Sequence, residues 1–504
     1  MLTQFSYFLH PLSGRFTAGS NQLDGTVPVA FGSIENLEDI SLRKNFLTGK
    51  FPQELSSLAA LTSLDLSFNT ISGTLPSFSM LENLATFSLG NNILHGELSF
   101  GGMRKLEEFV IENNEFSGRL PDLSDSSIIL RVCRLGGNNF DSQPFPEYIL
   151  GMVNMRNLGL NNLSLTGEIP AGIGTLTSLK ILNLEDNTLN GNIPLSIADI
   201  SPLEEMTIHN NLLSGNIPFE ISFLRNLEKF TLSSNRFQSS VPISIGGLTS
   251  LKILTMGSNF LSGQLPASMS SLSNLEVLDF GDNFFTGSIP DSIWNTSSLR
   301  ELILAGNNFV GQIPGSIGNL KKLRVLNIAS NTLRGRIPDN IVSLSDLLVL
   351  DLSFNFFGGP IPKNIGDLVN LRELLLGTNY DDSDLAYGFD GTIPASIATM
   401  KKLEKLQLNR NRISGFLPPQ HGLMKSIQTY DVSDNKRLKG IIPTDFLNMA
   451  QLNDLKIFGT KIEGSVPVGL CEKGVLIEVD CLGAQNSGIS TPTIECGCCK
   501  CSQH

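Results

Sequence analysis

Apolar and polar positions recur in one fixed frame along nearly the whole chain. Residues 61–76 read LTSLDLSFNTISGTLP, residues 179–194 read LKILNLEDNTLNGNIP, and residues 323–338 read LRVLNIASNTLRGRIP. The shared frame is LxxLxLxxNxLxGxIP, followed by a pattern close to xxIGxL. Numbered by its Asn position, N, the frame falls at Asn21, Asn45, Asn69, Asn92, Asn114, Asn138, Leu163, Asn187, Asn211, Asn235, Asn259, Asn283, Asn307, Asn331, Asn355, Asn379, Asn411, Asn435 and Thr460. Seventeen of these nineteen slots are Asn, and from Leu163 to Asn379 every step is 24 residues. Chance does not hold one register over nine steps, so the period fixes the architecture.

Each position in the frame has a physical reason. The LxL pair alternates in and out, which predicts a short strand with its leucines facing a core. Strands that recur in one direction pair in parallel. The Asn also points inward, where its amide offers two donors and an acceptor to backbone groups at the strand exit. Stacked, these side chains form a ladder that leaves no buried polar group orphaned. Gly at N+4 permits a tight backbone, and Pro at N+7 fixes φ where no ladder bond is needed. The xxIGxL stretch is too short and Gly-broken for an α-helix and predicts a 3₁₀ turn on the opposite face. A 24-residue unit cannot bury its own leucines, so stacking builds one continuous core.

Composition agrees. The chain has 504 residues, with 47 Gly, 44 Asn and 30 Phe, 41% hydrophobic and 17% charged. That is enough apolar material to exclude a disordered chain. No run of about 18 apolar residues is present, so no segment reads as a membrane span. A net charge of −12 argues against nucleic acid as partner, because phosphate binding needs a basic stripe.

The frame resembles leucine-rich repeats. Its GxIP segment is similar to the plant-type subclass found in receptor-like kinase ectodomains, receptor-like proteins and polygalacturonase-inhibiting proteins. The resemblance covers about residues 5–470. It implies an α/β solenoid, curved, with a parallel β-sheet on the concave face and 3₁₀ turns and loops on the convex face. Residues 1–470 form the repeats and residues 471–504 a Cys-rich cap. The implied function is non-catalytic, receptor-like recognition of a peptide or protein outside the cell or at its surface, with a membrane co-receptor as a further partner. Two other readings stay open: a secreted inhibitor of a cell-wall hydrolase, and a structural or adhesive wall protein.

Departures from the frame carry information. Leu163 and Thr460 break the Asn ladder, and Ser142 and Ser239 replace its Gly. After Asn379, eight extra residues precede the resumption at Gly391, in the segment NYDDSDLAYGFDGTIP. Tyr380, Tyr387 and Phe389 in this insertion are candidate contacts, since aromatic loops on a rigid scaffold often bind. A tolerated surface insertion is the plainer expectation. The spacing of its aspartates does not match a calcium loop.

The frame assigns N−6, N−4, N−2 and N−1 to the outward sheet face. Between slots 259 and 379 the N−2 column is Gly257, Gly281, Ala305, Ala329, Ser353 and Gly377. Beside it stand Ile253, Val277, Ile303, Val325, Val349 and Leu375, with Asp279, Asp282, Glu301, Asp351 and Glu373 interspersed. This predicts a shallow groove for an extended peptide with apolar and basic residues. The competing expectation is that β-branched residues simply suit a sheet surface. Glu185, Asp186, Glu205 and His209 form a second cluster, expected to be a solvated acidic patch, because its spacing is not diagnostic of a metal. Lys405, Arg410 and Arg412 read as a basic patch.

Cys133 sits at a core position and reads as a buried thiol. Cys471, Cys481, Cys496, Cys498, Cys499 and Cys501 follow the last repeat and read as a disulfide cap, with zinc as the rival. The tail also resembles that of leucine-rich-repeat proteins from photosynthetic protists. Asn162 and Asn295 begin glycosylation sequons. The first residues lack a convincing signal peptide, so the expectation is a longer protein with a signal or anchor upstream. No nucleotide-binding, zinc-protease or kinase motif occurs. The five histidines are scattered, so neither a catalytic activity nor a cofactor is expected.

Overall fold

The computed structural model describes residues 14–99, 101–124, 129–380, 387–480 and 494–501. The chain divides into two compact units, one comprising residues 1–238 and 247–251, the other residues 239–246 and 252–504.

In the first unit, short parallel strands stack in chain order from Arg15–Thr17 to Lys229–Thr231. Their registers follow the frame: Leu158 lies opposite Leu182, Leu182 opposite Met206, and Met206 opposite Phe230. The second unit repeats this from Ile253–Thr255 onward, with Leu278 opposite Leu302, Leu302 opposite Leu326 and Leu326 opposite Leu350. The inward leucines are fully buried. Each unit is thus a repeat solenoid with a parallel sheet along one face.

The opposite face carries the 3₁₀ turns, for example Ala267–Ser271, Gly315–Asn319 and Asp339–Ser343. Proline sets up the entry in each: Pro266, Pro314 and Pro338 hold φ between −69° and −79° with extended ψ. The Ile or Met at the centre of the turn is buried.

The Asn ladder is built as its chemistry requires. Asn331 donates from Nδ2 to the carbonyl of Leu304 in the preceding repeat (2.9 Å) and to Ile328 and Ala329 in its own turn (3.2 and 3.0 Å). Its Oδ1 accepts from the Phe309 N–H at 2.9 Å. Asn283 makes the same set. Asn21 is exposed and, among the described residues, bonds within its own turn. At the departures, chemistry is rerouted. Leu163 is buried, and Asn187 Oδ1 accepts from both Leu163 and Leu165 N–H (3.0 and 2.9 Å). Thr460 substitutes a hydroxyl, which donates to Ile457 O at 2.7 Å.

A second parallel ladder runs along the flank, from residues just past each Asn. In the second unit Phe260–Gly263 pairs with Phe284–Ser288, which pairs with Asn308–Gly311. The frame did not announce these strands, because four or five residues around the frame's Gly show no alternation. Behind them the N+2 phenylalanines stack, Phe285 on Phe309 at 6.1 Å between ring centroids.

The cysteine segment continues the second unit's sheet. Leu476–Val479 pairs in parallel with Asp454–Lys456 and then with Lys500–Cys501. Disulfides join Cys471 to Cys498 and Cys496 to Cys499. Cys481 lies outside the described residues, as does the side chain of Cys501. Cys133 is a buried free thiol, and burial pushes it up to about 12.

Candidate functional site

The outward face of the second unit presents its side chains in straight files, because parallel pairing keeps register from strand to strand. Ile253, Val277, Glu301, Val325, Val349 and Glu373 lie opposite one another in sequence, as the N−6 file. Thr255, Asp279, Ile303, Asn327, Asp351 and Leu375 form the N−4 file. Ile303 and Leu375 therefore stand one file away from the valines. All of the N−6 residues are half-buried, whereas Leu375 is buried.

The small residues at N−2 have a structural reason that the composition of the column does not reveal. In three of the six repeats the N−4 side chain folds back onto them. Asp279 Oδ1 accepts from the Gly281 N–H at 3.0 Å, and Asn327 Oδ1 accepts from that of Ala329 at 3.2 Å. Asp351 Oδ1 accepts from both the N–H and the hydroxyl of Ser353, at 3.0 and 2.6 Å. These are Asx turns. A Cβ on Gly377 would come within 2.2 Å of Asn409 Oδ1, so a larger residue there would displace that side chain. Part of the acidic flank is thereby engaged with backbone. Burial raises the Asp279 carboxyl, the Gly281 N–H lowers it, and Asp282 and Glu301 raise it further.

At N−1 the backbone turns left-handed in every repeat of this stretch, including Asp282 (φ 51°) and Phe354 (φ 52°). Asp tolerates this region; a bulky aromatic does so at a cost. Phe354 is also 57% exposed. Phe68 holds the same left-handed, exposed N−1 position in the first unit.

The insertion divides into different roles. Phe389 is not a loop residue: it is fully buried and stacks on Phe357 at 6.3 Å, and its N–H donates to Asn411 Oδ1 at 2.9 Å. It fills the N+2 slot after the eight extra residues, and so belongs to the core. Tyr387 packs edge-on against Phe356 at 5.2 Å, with the Arg334 guanidinium 5.2 Å from its ring centroid. Arg334 also lies over Phe356. Tyr380 is half-buried, and its N–H donates to Arg410 O at 3.2 Å. Residues 381–386, with Asp381, Asp382 and Asp384, lie outside the described residues.

The three basic residues take three different frame positions. Lys405 lies on a sheet strand, Arg410 in the left-handed turn, and Arg412 on the flank, where its N–H bonds Phe389 O. Both sequon asparagines are exposed. Asn162 is at a left-handed N−1 position, and Asn295 ends a 3₁₀ turn.

With this geometry in view, the likeness to known proteins is specific. Leucine-rich-repeat family models match residues 19–71, 178–200, 274–296, 298–320, 322–344 and 346–368. Receptor-like protein 18 of Arabidopsis thaliana is 28% identical over 161 residues, 31% of this chain and 19% of that protein. The chain thus spans about a fifth of that curated relative's length. The plant peptide hormone receptor RGFR1, solved in complex with RGF2, is similar at 27% identity with a TM-score of 0.77, over 92% of this chain and 81% of that one. The Arabidopsis receptor kinase HAESA, solved with the peptide hormone IDA and the co-receptor SERK1, gives 28% and 0.77, over 92% and 82%. None of the described residues forms a helix long and apolar enough to cross a membrane. The chain carries leucine-rich repeats of the plant type, similar to those in the ectodomains of plant receptor-like proteins and receptor-like kinases.

Proposed function

We propose that this chain is an extracellular or cell-surface recognition module without catalytic activity. It binds an extended peptide across the outward sheet face of the second unit. The observation that carries this reading is the set of in-register files over six strands. Half-buried Ile253, Val277, Val325 and Val349 supply apolar contact, and small N−2 residues let a ligand backbone approach. Asp282, Glu301 and Glu373 supply negative charge at the flanks, and Phe354 a projecting aromatic. A peptide with alternating apolar and basic side chains fits such a surface, since an extended ligand presents residues with period two. The peptide ligands of RGFR1 and HAESA support the ligand class, and the SERK1 co-receptor of HAESA supports a membrane co-receptor as second partner.

The test is capture of peptides from extracellular extract on the purified chain, followed by affinity measurement on the double variant Ala305→Trp, Ala329→Trp. Two indoles in the N−2 file should weaken a captured peptide by at least about a hundredfold, the loss of two central contacts at about 1.4 kcal/mol each. Unchanged affinity would sink this reading. Retrieval of a wall hydrolase, with inhibition of its activity, would replace it with the inhibitor function.

A further inference from the structure

The N−2 column is small through most of the second unit, but in two adjacent repeats of the first unit it is Glu185 and His209. The strands leading to them, Ile181–Asn183 and Glu205–Thr207, pair in register. The two side chains therefore meet side by side just past the strand ends. His209 Nδ1 lies 3.4 Å from Glu185 Oε2. Asp186, the next residue, completes a trio whose ligand atoms all lie within 4.8 Å of one another. Glu205 is not part of the trio: it stands in the strand, opposite Ile181 and Lys229.

From this arrangement we propose a binding site for one divalent transition-metal ion of the zinc class, held by the His209 imidazole and the carboxylates of Glu185 and Asp186. The ligand set is one nitrogen and two oxygens, which suits such ions and not the oxygen-only preference of calcium. For the His209–Glu185 pair the spacing fits as well. Ligands about 2.0 Å from a tetrahedral centre stand about 3.3 Å apart, close to the His209–Glu185 separation.

The surroundings orient the ligands as metal sites require. Asn210 Nδ2 donates to Asp186 Oδ1 at 2.8 Å, and Asn183 Nδ2 to Glu185 Oε1 at 3.3 Å. Each carboxylate keeps its second oxygen for the ion. Thr231 Oγ1 lies 3.2 Å from the same His209 Nδ1 and would release that nitrogen when the ion binds. Among the described residues no lysine or arginine pairs with Glu185 or Asp186, and the basic group beside Glu185 is His209 itself. The side chains of Glu185 and His209 are 22% and 30% exposed, and Asp186 is exposed. The ion would keep an outward coordination position open to water or to a partner's side chain. This site is independent of the peptide reading, which concerns the other unit.

Calorimetric titration of the full chain under non-reducing conditions, with zinc chloride and separately with calcium chloride, tests the assignment. The expected result is saturable binding of one zinc ion, with calcium far weaker. His209→Ala and Glu185→Gln should each weaken zinc by well over tenfold, and Asn210→Ala by about tenfold through loss of the orienting amide. His95→Ala, which removes an exposed histidine elsewhere in the same unit, should leave it unchanged. Anomalous diffraction at the zinc edge should place the ion between His209 and Glu185, a result that needs no variant to fold. No saturable zinc binding, equal binding by His209→Ala, or an ion found at the cysteines instead would each overturn the site.

Discussion

At the scale of single residues, the frame has a polar exception deep in its core. His421 occupies a 3₁₀ turn, where neighbouring repeats carry Ile or Phe, and is fully buried. Its Nε2 lies 3.1 Å from Pro394 O and its Nδ1 2.9 Å from the Tyr430 hydroxyl. A neutral imidazole satisfies both, with Nε2–H donating and Nδ1 accepting. Burial drives its pKa down to about 4 from an ordinary 6.5, against a smaller opposing effect of the Pro394 carbonyl. Above pH 6.5 folded and unfolded chains are both neutral there, and the group adds no pH dependence. As pH falls from 6.5 to 4 the unfolded chain takes up a proton that the folded one refuses. Stability therefore drops by up to about 3 kcal/mol and levels off below pH 4. Asp279 and Asp431, whose carboxyls are raised by burial, push the other way, so the comparison must be made against a variant. Urea denaturation at pH 7 and 4.5 should show a smaller pH difference in His421→Gln than in the parent; an equal difference would remove His421 as the cause. Only its slot hinted at this burial, because a lone histidine in a turn reads as surface.

Elements were legible where their residues repeat a pattern and obscure where they do not. The inward strands follow from LxL, and the 3₁₀ turns follow from Pro and the Gly-broken IGxL. The flank ladder was hidden, because residues such as Thr332–Gly335 carry no alternation. The N−2 column was legible as a stripe of small residues, but its cause was not. That cause lies in the Asp279–Gly281 and Asp351–Ser353 bonds, which need coordinates. Phe389 was misplaced because the insertion hides its slot, whereas Phe354 was in plain sight in the frame. The cysteine segment makes a separate prediction at this scale. Cys471 follows the last repeat on a short helix, Val468–Glu472, and its bond to Cys498 closes a loop of 27 residues that contains Leu476–Val479. Such a link is worth about 3 kcal/mol. Reductant should speed amide hydrogen exchange in Leu476–Val479 and leave Val325–Asn327 unchanged. Chelator alone should alter neither, and acceleration by chelator would show that the cysteines hold a metal.

At the scale of the molecule, stability is distributed along the chain, because the bonds that hold one repeat are made with its immediate neighbours. The ladder shows this most directly. Asn355 donates to Ile328 O, one repeat back, and accepts from Leu333 N–H. Asn331 does the same with Leu304 and Phe309. Removing residues 308–331 would join Asn307 to Thr332 and restore the sequence NTLRG with its frame intact. Asn355 would then find Leu304 O where Ile328 O had been, and Leu350 would lie opposite Leu302. Every buried donor and acceptor regains an equivalent partner, and the loss is one repeat's share of core. Removing residues 308–319 instead brings Leu320 next to Asn307, which puts a turn residue in a strand slot and breaks the ladder. The 24-residue deletion should therefore yield a folded protein with unchanged circular dichroism per residue and a slightly smaller urea m-value, since less surface is exposed on unfolding. The 12-residue deletion should lose the cooperative transition in its unit. The 24-residue deletion also removes Val325 and Ala329, so it should fold yet lose peptide binding, separating the scaffold from the surface it carries. If it fails to fold, the repeats depend on more than their nearest neighbours, and the one-dimensional account of this chain is wrong.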